Sequence, residues 1–366
     1  MTRSMTTRQR MKKVYSHQLS DRVPFRDYPW ADTVGRWHRE GLPEGVSWVD
    51  HFQLDQYASI AVDTSPQMPW RVIEETDDYV IHTTEWGATM KKYKHATSIE
   101  EPLEFTCTNP EAWENIKPRI APTDDRIHWD SLKNNYALWR EKGAWISGSG
   151  WFSFDVIHSR MIGTETVLMS LVENPEWFTD VLHHILEVNL TLLEKVWDAG
   201  YTFDELRWPD DLGYKFSQFM SVQMYRELIR PAHARCVEWA HARGIPAMLH
   251  SCGDIRPFIP EFVEIGIDAL NPLEVKAGCD PLAIKKQFGD RLVLHGGINA
   301  VLWEHPEQIE EHIRQFLPAL KADGGYIFAS DHSIPNSVSF EDFTRIVELY
   351  KELGSYRRWE AMGGEL

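Results

Sequence analysis

Short apolar segments alternate with helical segments through the second half of this 366-residue chain, and this alternation limits the fold more than any other feature. The apolar segments, predicted as strands, cover residues 144–148, 203–208, 246–249, 268–271, 292–295 and 326–329. Predicted helices run from the Asn174 cap to Gly200 and over 225–242, 255–265, 281–287, 306–322 and 340–353. Strands that alternate with such helices form parallel β-α-β units, with the helices outside the sheet. The sequence therefore predicts an α/β fold, and its length suits one large α/β barrel or two average domains.

The first 140 residues are less regular and are predicted to elaborate the parallel fold. Residues 22–28 have the pattern of a first barrel strand. Residues 79–84 and 88–93 flank Trp86-Gly87 and are predicted to form a β-hairpin in an antiparallel insertion. Because no Gly/Ser linker or repeat interrupts the chain, we predict one domain over 1–366. Residues 1–140 hold the elaboration and first barrel units, and residues 141–353 hold the regular units.

The charge and the cysteines narrow the classes of function. The net charge is −17, which argues against nucleic-acid or anionic-membrane partners, because phosphate binding requires clustered Lys and Arg. No apolar run approaches the roughly 20 residues that span a bilayer. The four cysteines have no paired spacing, and the first 13 residues lack the apolar stretch of a signal peptide. We therefore expect reduced thiols, a cytoplasmic location and a small-molecule substrate.

Polar side chains follow five successive predicted strands. They are the groups Trp208-Pro209-Asp210-Asp211, His250-Ser251-Cys252-Gly253-Asp254, Asn271 with Glu274, His295-Gly296-Gly297, and Ser330-Asp331-His332. In a (β/α)₈ barrel the carboxyl ends of the strands form the mouth of the active site. The chemistry is therefore predicted at this end of the barrel.

The pair His250-x-Cys252 is the sharpest of these groups. Residues at i and i+2 of a strand point to the same face, so the imidazole and the thiol would lie side by side. Zinc takes nitrogen and sulfur ligands, and His332, which follows another strand, is the predicted third ligand. Three protein ligands leave one open position, which is typical of a catalytic zinc. The alternative is a buried thiol beside a hydrogen-bonded histidine.

The remaining polar residues have functional and structural interpretations. Asp210 and Glu274 are candidate general acids or bases, with a helix N-cap or turn as the structural alternative for Asp210 and a solvated loop charge as that for Glu274. Asp331 is a candidate fourth ligand, a partner of a ligand, or a turn residue. The predicted substrate contacts are Trp208, Asp211, Asn271, His295 and Asp331.

The motifs together resemble the uroporphyrinogen decarboxylase superfamily, which includes corrinoid-dependent methyltransferases. The similar stretches are residues 208–213 (WPDDLG), 249–254 (LHSCGD), 294–298 (LHGGI) and 325–335 (GYIFASDHSIP), with a weaker likeness at 21–25 (DRVPF). The resemblance implies a (β/α)₈ barrel. In the methyltransferase branch a His-x-Cys pair and a later Cys bind zinc, and zinc activates a thiol that accepts a methyl group from a methylcorrinoid. His250 and Cys252 match the pair, whereas Asp331-His332 stands where the later Cys is expected.

The decarboxylase branch resembles this chain more in fold than in site. Its members need no metal and hold the carboxylates of a tetrapyrrole with arginines and an aspartate near the N-terminal strands. Arg26 and Asp27 occupy the first predicted strand here, but the arginine-rich segment of those enzymes has no clear counterpart.

Three hypotheses follow from the residues and the resemblance. The favoured one is a zinc-dependent methyltransferase that works with a corrinoid (cobalamin) cofactor or a corrinoid protein. The second is a metal-free decarboxylase of porphyrin biosynthesis. The third is a non-catalytic protein that binds a corrinoid or a tetrapyrrole at the same mouth.

Overall fold

A computed structural model describes residues 4–95 and 100–356. Its strands are β1 (Tyr57–Ala61), β2 (Val72–Glu75), β3 (Tyr79–Thr83), β4 (Ala88–Tyr93), β5 (Glu101–Phe105), β6 (Trp145–Ser149), β7 (Glu205–Pro209), β8 (Gly213–Tyr214), β9 (Ser217–Gln218), β10 (Ala247–His250), β11 (Ala269–Asn271), β12 (Val293–His295) and β13 (Tyr326–Ile327). Seven of them form a parallel sheet in the order β1-β6-β7-β10-β11-β12-β13. The sheet therefore follows the order of the chain, as repeated β-α units require.

Helices precede, connect and follow these strands. They are α1 (Thr7–Tyr15), α2 (Ala31–Glu40), α3 (Trp48–His51), α4 (Pro110–Ile116), α5 (Trp129–Glu141), α6 (Phe154–Val156), α7 (Thr164–Glu173), α8 (Pro175–Asp198), α9 (Val222–Met224), α10 (Arg230–His241), α11 (Ile259–Glu264), α12 (Pro281–Phe288), α13 (Pro306–Lys321) and α14 (Phe340–Leu353). Two π-helical turns, Ile157–Met161 and Tyr225–Ile229, continue α6 and α9. Among the described residues, no helix combines the length and the apolar character needed to cross a bilayer.

The eighth position of the barrel is filled by an extended segment rather than by a regular strand. Phe25 pairs in parallel with Phe328, and the Phe328 N–H donates to the carbonyl of Pro24 at 2.8 Å. On the other side, the Phe25 N–H donates to the carboxylate of Asp55 at 2.9 Å, so a side chain takes the place of a neighbouring strand. The predicted (β/α)₈ barrel is confirmed. The predicted strand at 22–28 is reduced to isolated pairings of Arg22 with Ser355 and of Phe25 with Phe328, and β1 was not predicted.

Helix α1 seals the amino-terminal end of the barrel. Its side chains Met11 and Val14 are buried in an apolar cluster with interior residues of the strands, among them Trp145 and Met248. Tyr15, at the end of α1, stacks on Trp145 with the ring centroids 5.5 Å apart. The base of the barrel is therefore packed with side chains, and the cavity described below lies at its other end.

A buried ion pair occupies the barrel interior above this apolar base. The Arg26 guanidinium lies 2.6 Å from the Glu205 carboxylate, which also accepts hydrogen bonds from Ser147 Oγ (2.6 Å) and Tyr15 Oη (2.7 Å). Burial alone would raise the pKa of Glu205, but Arg26 and these donors outweigh it and hold the pKa at about 2. This carboxylate is therefore ionised and joins three segments of the fold.

The N-terminal elaboration contains a four-stranded antiparallel sheet in the order β2-β3-β4-β5. The predicted hairpin is its centre, because β3 pairs with β4 from Tyr79↔Tyr93 to Thr83↔Thr89. Gly87 in the connecting turn has a φ of +86°, which a residue without Cβ adopts easily. In the sequence, this antiparallel sheet lies between β1 and β6, which are neighbours in the barrel.

Candidate metal centre at the barrel mouth

A cavity of about 210 Å³ opens at the carboxyl ends of the strands. Its walls come from four regions of the chain: Asp27, Tyr28 and Trp30; Asp211 after β7; the ends of β10 and β11; and residues 329–330 with 332–333. His250, Cys252, Asn271 and His332 all line it. The structure thus brings the three predicted zinc ligands and two of the predicted substrate contacts to one cavity.

Three of these side chains form a group with the donor atoms of a metal site. One ligand atom from each of Asp211, His250 and Cys252 lies within 4.8 Å of the others. Cys252 Sγ is 3.4 Å from His250 Nε2, and Asp211 Oδ1 is 3.8 Å from the same nitrogen. A thiolate, an imidazole and a carboxylate are all zinc ligands, so the residues fit this ion. Within the described chain, Asp211 takes the place in this group that the sequence predicted for His332.

Asn271 fixes the state of the His250 ring. The Asn271 Nδ2 group donates to the carbonyl of His295 at 3.0 Å, so its Oδ1 must face His250 Nδ1. Because an amide oxygen only accepts, Nδ1 carries the proton and neutral His250 presents the lone pair of Nε2 to the cavity. This is the arrangement by which outer hydrogen bonds orient metal-binding histidines.

We expect Asn271→Ala to lower zinc affinity about 10–100-fold, since outer hydrogen-bond partners of metal ligands contribute by this amount. The ring of His250 would lose its fixed tautomer and orientation while all ligand atoms remain. Competition with a chromophoric chelator measures the affinity. Asn115→Ala, on the exposed surface of α4, is the control. Equal zinc affinity of the Asn271 variant and the wild type would contradict the role given to this amide.

The backbone around Cys252 holds the thiol in the cavity. The Cys252 N–H donates to Asp211 Oδ1 at 2.8 Å, which links the ends of β7 and β10. Gly253 follows with a φ of +81°, and a Cβ there would lie 2.1 Å from the backbone of Gly213. Burial raises the pKa of the Cys252 thiol well above its usual value, and the carboxylates of Asp211 and Glu274 raise it further. The thiol is therefore protonated unless a cation compensates for these effects.

Asp210 is fully buried in a hydrogen-bond network on the outer side of the sheet, the side that also carries Trp208. Its carboxylate accepts from Ser153 Oγ at 2.6 Å, from the Asp155 N–H at 2.8 Å and from His233 Nε2 at 2.8 Å. His233 Nδ1 in turn lies 3.1 Å from Tyr225 Oη. The structure therefore places this predicted catalytic residue where it holds the loop after β6 against β7 and α10.

Glu274 and Asp331, also predicted at the mouth, bind backbone groups. Glu274 Oε2 accepts from the Gly253 N–H at 2.6 Å, which supports the loop that carries Cys252. Asp331 is fully buried and accepts from the N–H groups of Val275 (2.7 Å) and Ala300 (2.6 Å). Both carboxylates thus connect loops around the mouth, and neither belongs to the cavity wall.

Trp208 and His295 lie on opposite sides of the sheet. Trp208 is buried in the layer between sheet and helices, 5.6 Å from the ring of His233, because alternate residues of β7 face outward. His295 is buried in the barrel interior, where Nε2 donates to the carbonyl of Arg26 at 2.8 Å. The structure therefore separates these two predicted substrate contacts from the cavity wall.

Two carboxyl groups near the cavity were not among the predicted site residues. Asp27 lines the cavity, and burial raises its pKa to about 6 although Ser330 donates to it from N–H and Oγ. Burial raises the pKa of Asp155 to about 7, and the carboxylate of Asp211 adds to this effect. The likeness of the first strand to the family pointed to Asp27. For Asp155, the only signal in the sequence was its position after the predicted strand at 144–148.

The fold and the site define an α/β-barrel protein with a polar, metal-competent mouth. A family model described as uroporphyrinogen decarboxylase (URO-D) matches residues 156–353, more than half of the chain. The chain therefore belongs to the uroporphyrinogen decarboxylase family.

One protein of known sequence and one protein of known structure are similar to this chain. The uroporphyrinogen decarboxylase of Arthrobacter sp. (strain FB24) is 24% identical over 158 residues, which are 43% of this chain and 42% of that protein. The match thus spans less than half the length of this relative. A methyltransferase from Methanosarcina mazei has the same fold, with a TM-score of 0.65, 14% identity, and coverage of 95% of this chain and 99% of that protein.

Proposed function

We propose that this protein is a zinc-dependent methyltransferase that moves a methyl group between a small molecule and a corrinoid. The observation that carries the proposal is the convergence of Asp211, His250 and Cys252 within 4.8 Å at the mouth of the barrel. Membership of the family and the fold of the Methanosarcina methyltransferase support it. Decarboxylation without a metal does not require this combination of a thiol, an imidazole and a carboxylate.

In this proposal zinc is held by His250 Nε2, Cys252 Sγ and an oxygen of Asp211. When bound, zinc lowers the pKa of a thiol or hydroxyl and acts as a Lewis acid toward an oxygen. Three protein ligands leave a position for substrate. His332 lines the same cavity and would offer a further imidazole nitrogen to the ion when substrate is absent.

The chain's own residues prepare this site. Asn271 keeps the lone pair of His250 Nε2 in the cavity, and Glu274 holds the loop that presents Cys252. Asp155 and Asp27 are the acid-base candidates, because burial brings their pKa values to about 7 and about 6. Groups that titrate near neutral pH exchange protons with substrate most effectively.

The corrinoid is proposed to reach the mouth on a partner protein. The cavity of about 210 Å³ accommodates a small molecule, whereas a corrin macrocycle is far larger. The methyl carrier would therefore cover the opening from outside while the small molecule occupies the cavity.

The alternative function is decarboxylation of a tetrapyrrole or a related polycarboxylate, and Asp27 favours it. This aspartate lines the cavity, as the resemblance to the decarboxylase branch implies. Its neighbour Arg26, however, is committed to Glu205 in the barrel interior and is not available to a substrate carboxylate.

Three measurements on the purified protein separate the functions. We expect about one zinc per chain by elemental analysis, and zinc-dependent exchange of a methyl group with cobalamin that can be followed by visible absorbance. Decarboxylation of uroporphyrinogen that continues after chelation would support the alternative. A folded sample that neither contains nor takes up zinc would exclude the proposed mechanism.

A further inference from the structure

Arg207 is a cation in the barrel interior that the proposed zinc site does not use. It lies on β7 between Leu206 and Trp208, which are both buried in the outer layer of the barrel. Side chains alternate along a strand, so Arg207 faces the interior on the same side as Glu205. It is half-buried and stands one layer above the Arg26–Glu205 ion pair.

Arg207 has no acidic partner among residues 4–95 and 100–356. No ion pair or hydrogen bond of its guanidinium is present there, and its buried Nε has no acceptor. The other interior arginine, Arg26, is neutralised by Glu205 at 2.6 Å. A partly buried cation without an acceptor is unfavourable until a ligand or ordered water supplies one.

The carboxylates around the mouth are engaged elsewhere. Asp27 accepts three hydrogen bonds, two from Ser330 and one from the Tyr28 N–H. Asp211 accepts from the Cys252 N–H and belongs to the metal group, and Asp155 accepts from Trp151 Nε1 at 2.8 Å. None of these three carboxylates is therefore available to pair with the positive charge of Arg207.

The position of Arg207 connects it with the cavity. Its guanidinium carbon lies 5.2 Å from the ring centroid of Tyr28, which lines the cavity together with Trp30. His295 Nδ1 is also buried without a partner among the described residues.

We propose that Arg207 binds a carboxylate of the small methyl donor or acceptor, with the apolar part of this molecule against Tyr28 and Trp30. The inference rests on the proposed function, because it names the class of small molecule that this site takes. A carboxylate matches one planar guanidinium through two parallel hydrogen bonds. A phosphate ester commonly recruits several cations, whereas Arg207 lies behind the lining residue Tyr28 and no Lys or Arg of the cavity wall stands beside it.

Calorimetric titration of the purified protein with matched probes tests this inference. The probes are 4-methoxybenzoate, its neutral counterpart methoxybenzene, and phenyl phosphate. We expect the carboxylate to bind the wild type, and Arg207→Met to weaken this binding by about 10–100-fold, as loss of a hydrogen bond to a charged group does. Binding of methoxybenzene should not change. Arg226→Met, which removes an exposed arginine paired with Glu261, is the control.

The variants are compared only where their zinc content and unfolding midpoint match the wild type, and Arg207→Lys provides a second variant that keeps the charge. We expect Arg207→Lys to bind the carboxylate with an affinity between those of the wild type and Arg207→Met. Equal binding of the carboxylate by Arg207→Met and the wild type would overturn the inference. So would absence of carboxylate binding, or tighter binding of phenyl phosphate than of the carboxylate. Arg207-dependent carboxylate binding by a protein that takes up no zinc would support this inference while excluding the proposed function.

Discussion

Cys252→Ala is expected to lower zinc affinity by more than about 100-fold and to remove methyl transfer with it, because even outer partners of metal ligands contribute 10–100-fold. The thiol is one of three ligand donors within 4.8 Å of one another, and alanine offers no replacement. The zinc content of the purified variant and competition with a chelator measure the loss.

The matched control is Cys279→Ala. Cys279 is also a buried thiol near the same loop, where its Sγ lies 3.6 Å from the carbonyl of Gly253, but it is not in the metal group. Its removal should leave zinc bound. A Cys252→Ala protein that keeps one zinc per chain with unchanged affinity would refute the metal centre.

The same measurement distinguishes the ligands Asp211 and His332. We expect Asp211→Ala to lose more zinc affinity than His332→Ala, because Asp211 belongs to the converging group and His332 only lines the cavity. A larger loss in His332→Ala would restore the ligand set predicted from the sequence.

Glu205→Ala is expected to lower the free energy of unfolding by about 3–5 kcal/mol, the usual cost of removing one partner of a buried ion pair. The variant leaves the Arg26 guanidinium, which is 4% exposed, without its counter-charge. It also removes the acceptor of Ser147 and Tyr15. Urea denaturation followed by tryptophan fluorescence measures the change. Glu187→Ala, whose partner Arg235 is exposed, should change stability by about 1 kcal/mol or less.

The effect of Glu205→Ala is expected to depend on pH in a defined direction. The pKa of Glu205 is about 2 in the folded protein, below its ordinary value of 4.5. A lowered pKa stabilises the fold fully above the ordinary value, and this stabilisation is lost as the pH falls toward 2. The difference between wild type and variant should therefore be constant above about pH 5.5 and should decrease between pH 4.5 and 2. A difference that grows on acidification would contradict the ion pair.

The sequence was sufficient for the regular barrel units, but β1 was missed and the segment at Phe25 was predicted as a regular strand over 22–28. The regular β-α units after residue 144 have apolar strands and capped helices, and α14 has the predicted bounds Phe340–Leu353. Strand β1, Tyr57–Ala61, has only two large side chains, Tyr57 and Ile60, among small residues, so its apolar pattern is weak. The segment at Phe25 is held by the Asp55 carboxylate, a contact between distant residues that no local pattern contains.

In the candidate site, too, local sequence patterns were sufficient to place some residues, whereas the positions of others depend on how the strands pair. The spacing of His250 and Cys252 placed both at the mouth. The outward direction of Trp208 follows from the register in which Pro209 pairs with His250, and a sequence does not specify that register. For the same reason, the spacing of Asp210 and Asp211 could not show that the first is buried and the second enters the cavity.

Helix α1, which packs Met11 and Val14 into the base of the barrel, has a kinetic consequence for the proposed reaction. Because that end is filled, the small molecule and the methyl carrier would both reach the site through the mouth of the barrel. The carrier is too large to enter the cavity and would close the mouth when it docks, so the small molecule has to bind first and dissociate last. Turnover should then follow a compulsory order, and a large excess of carrier should trap the small molecule inside and slow the cycle.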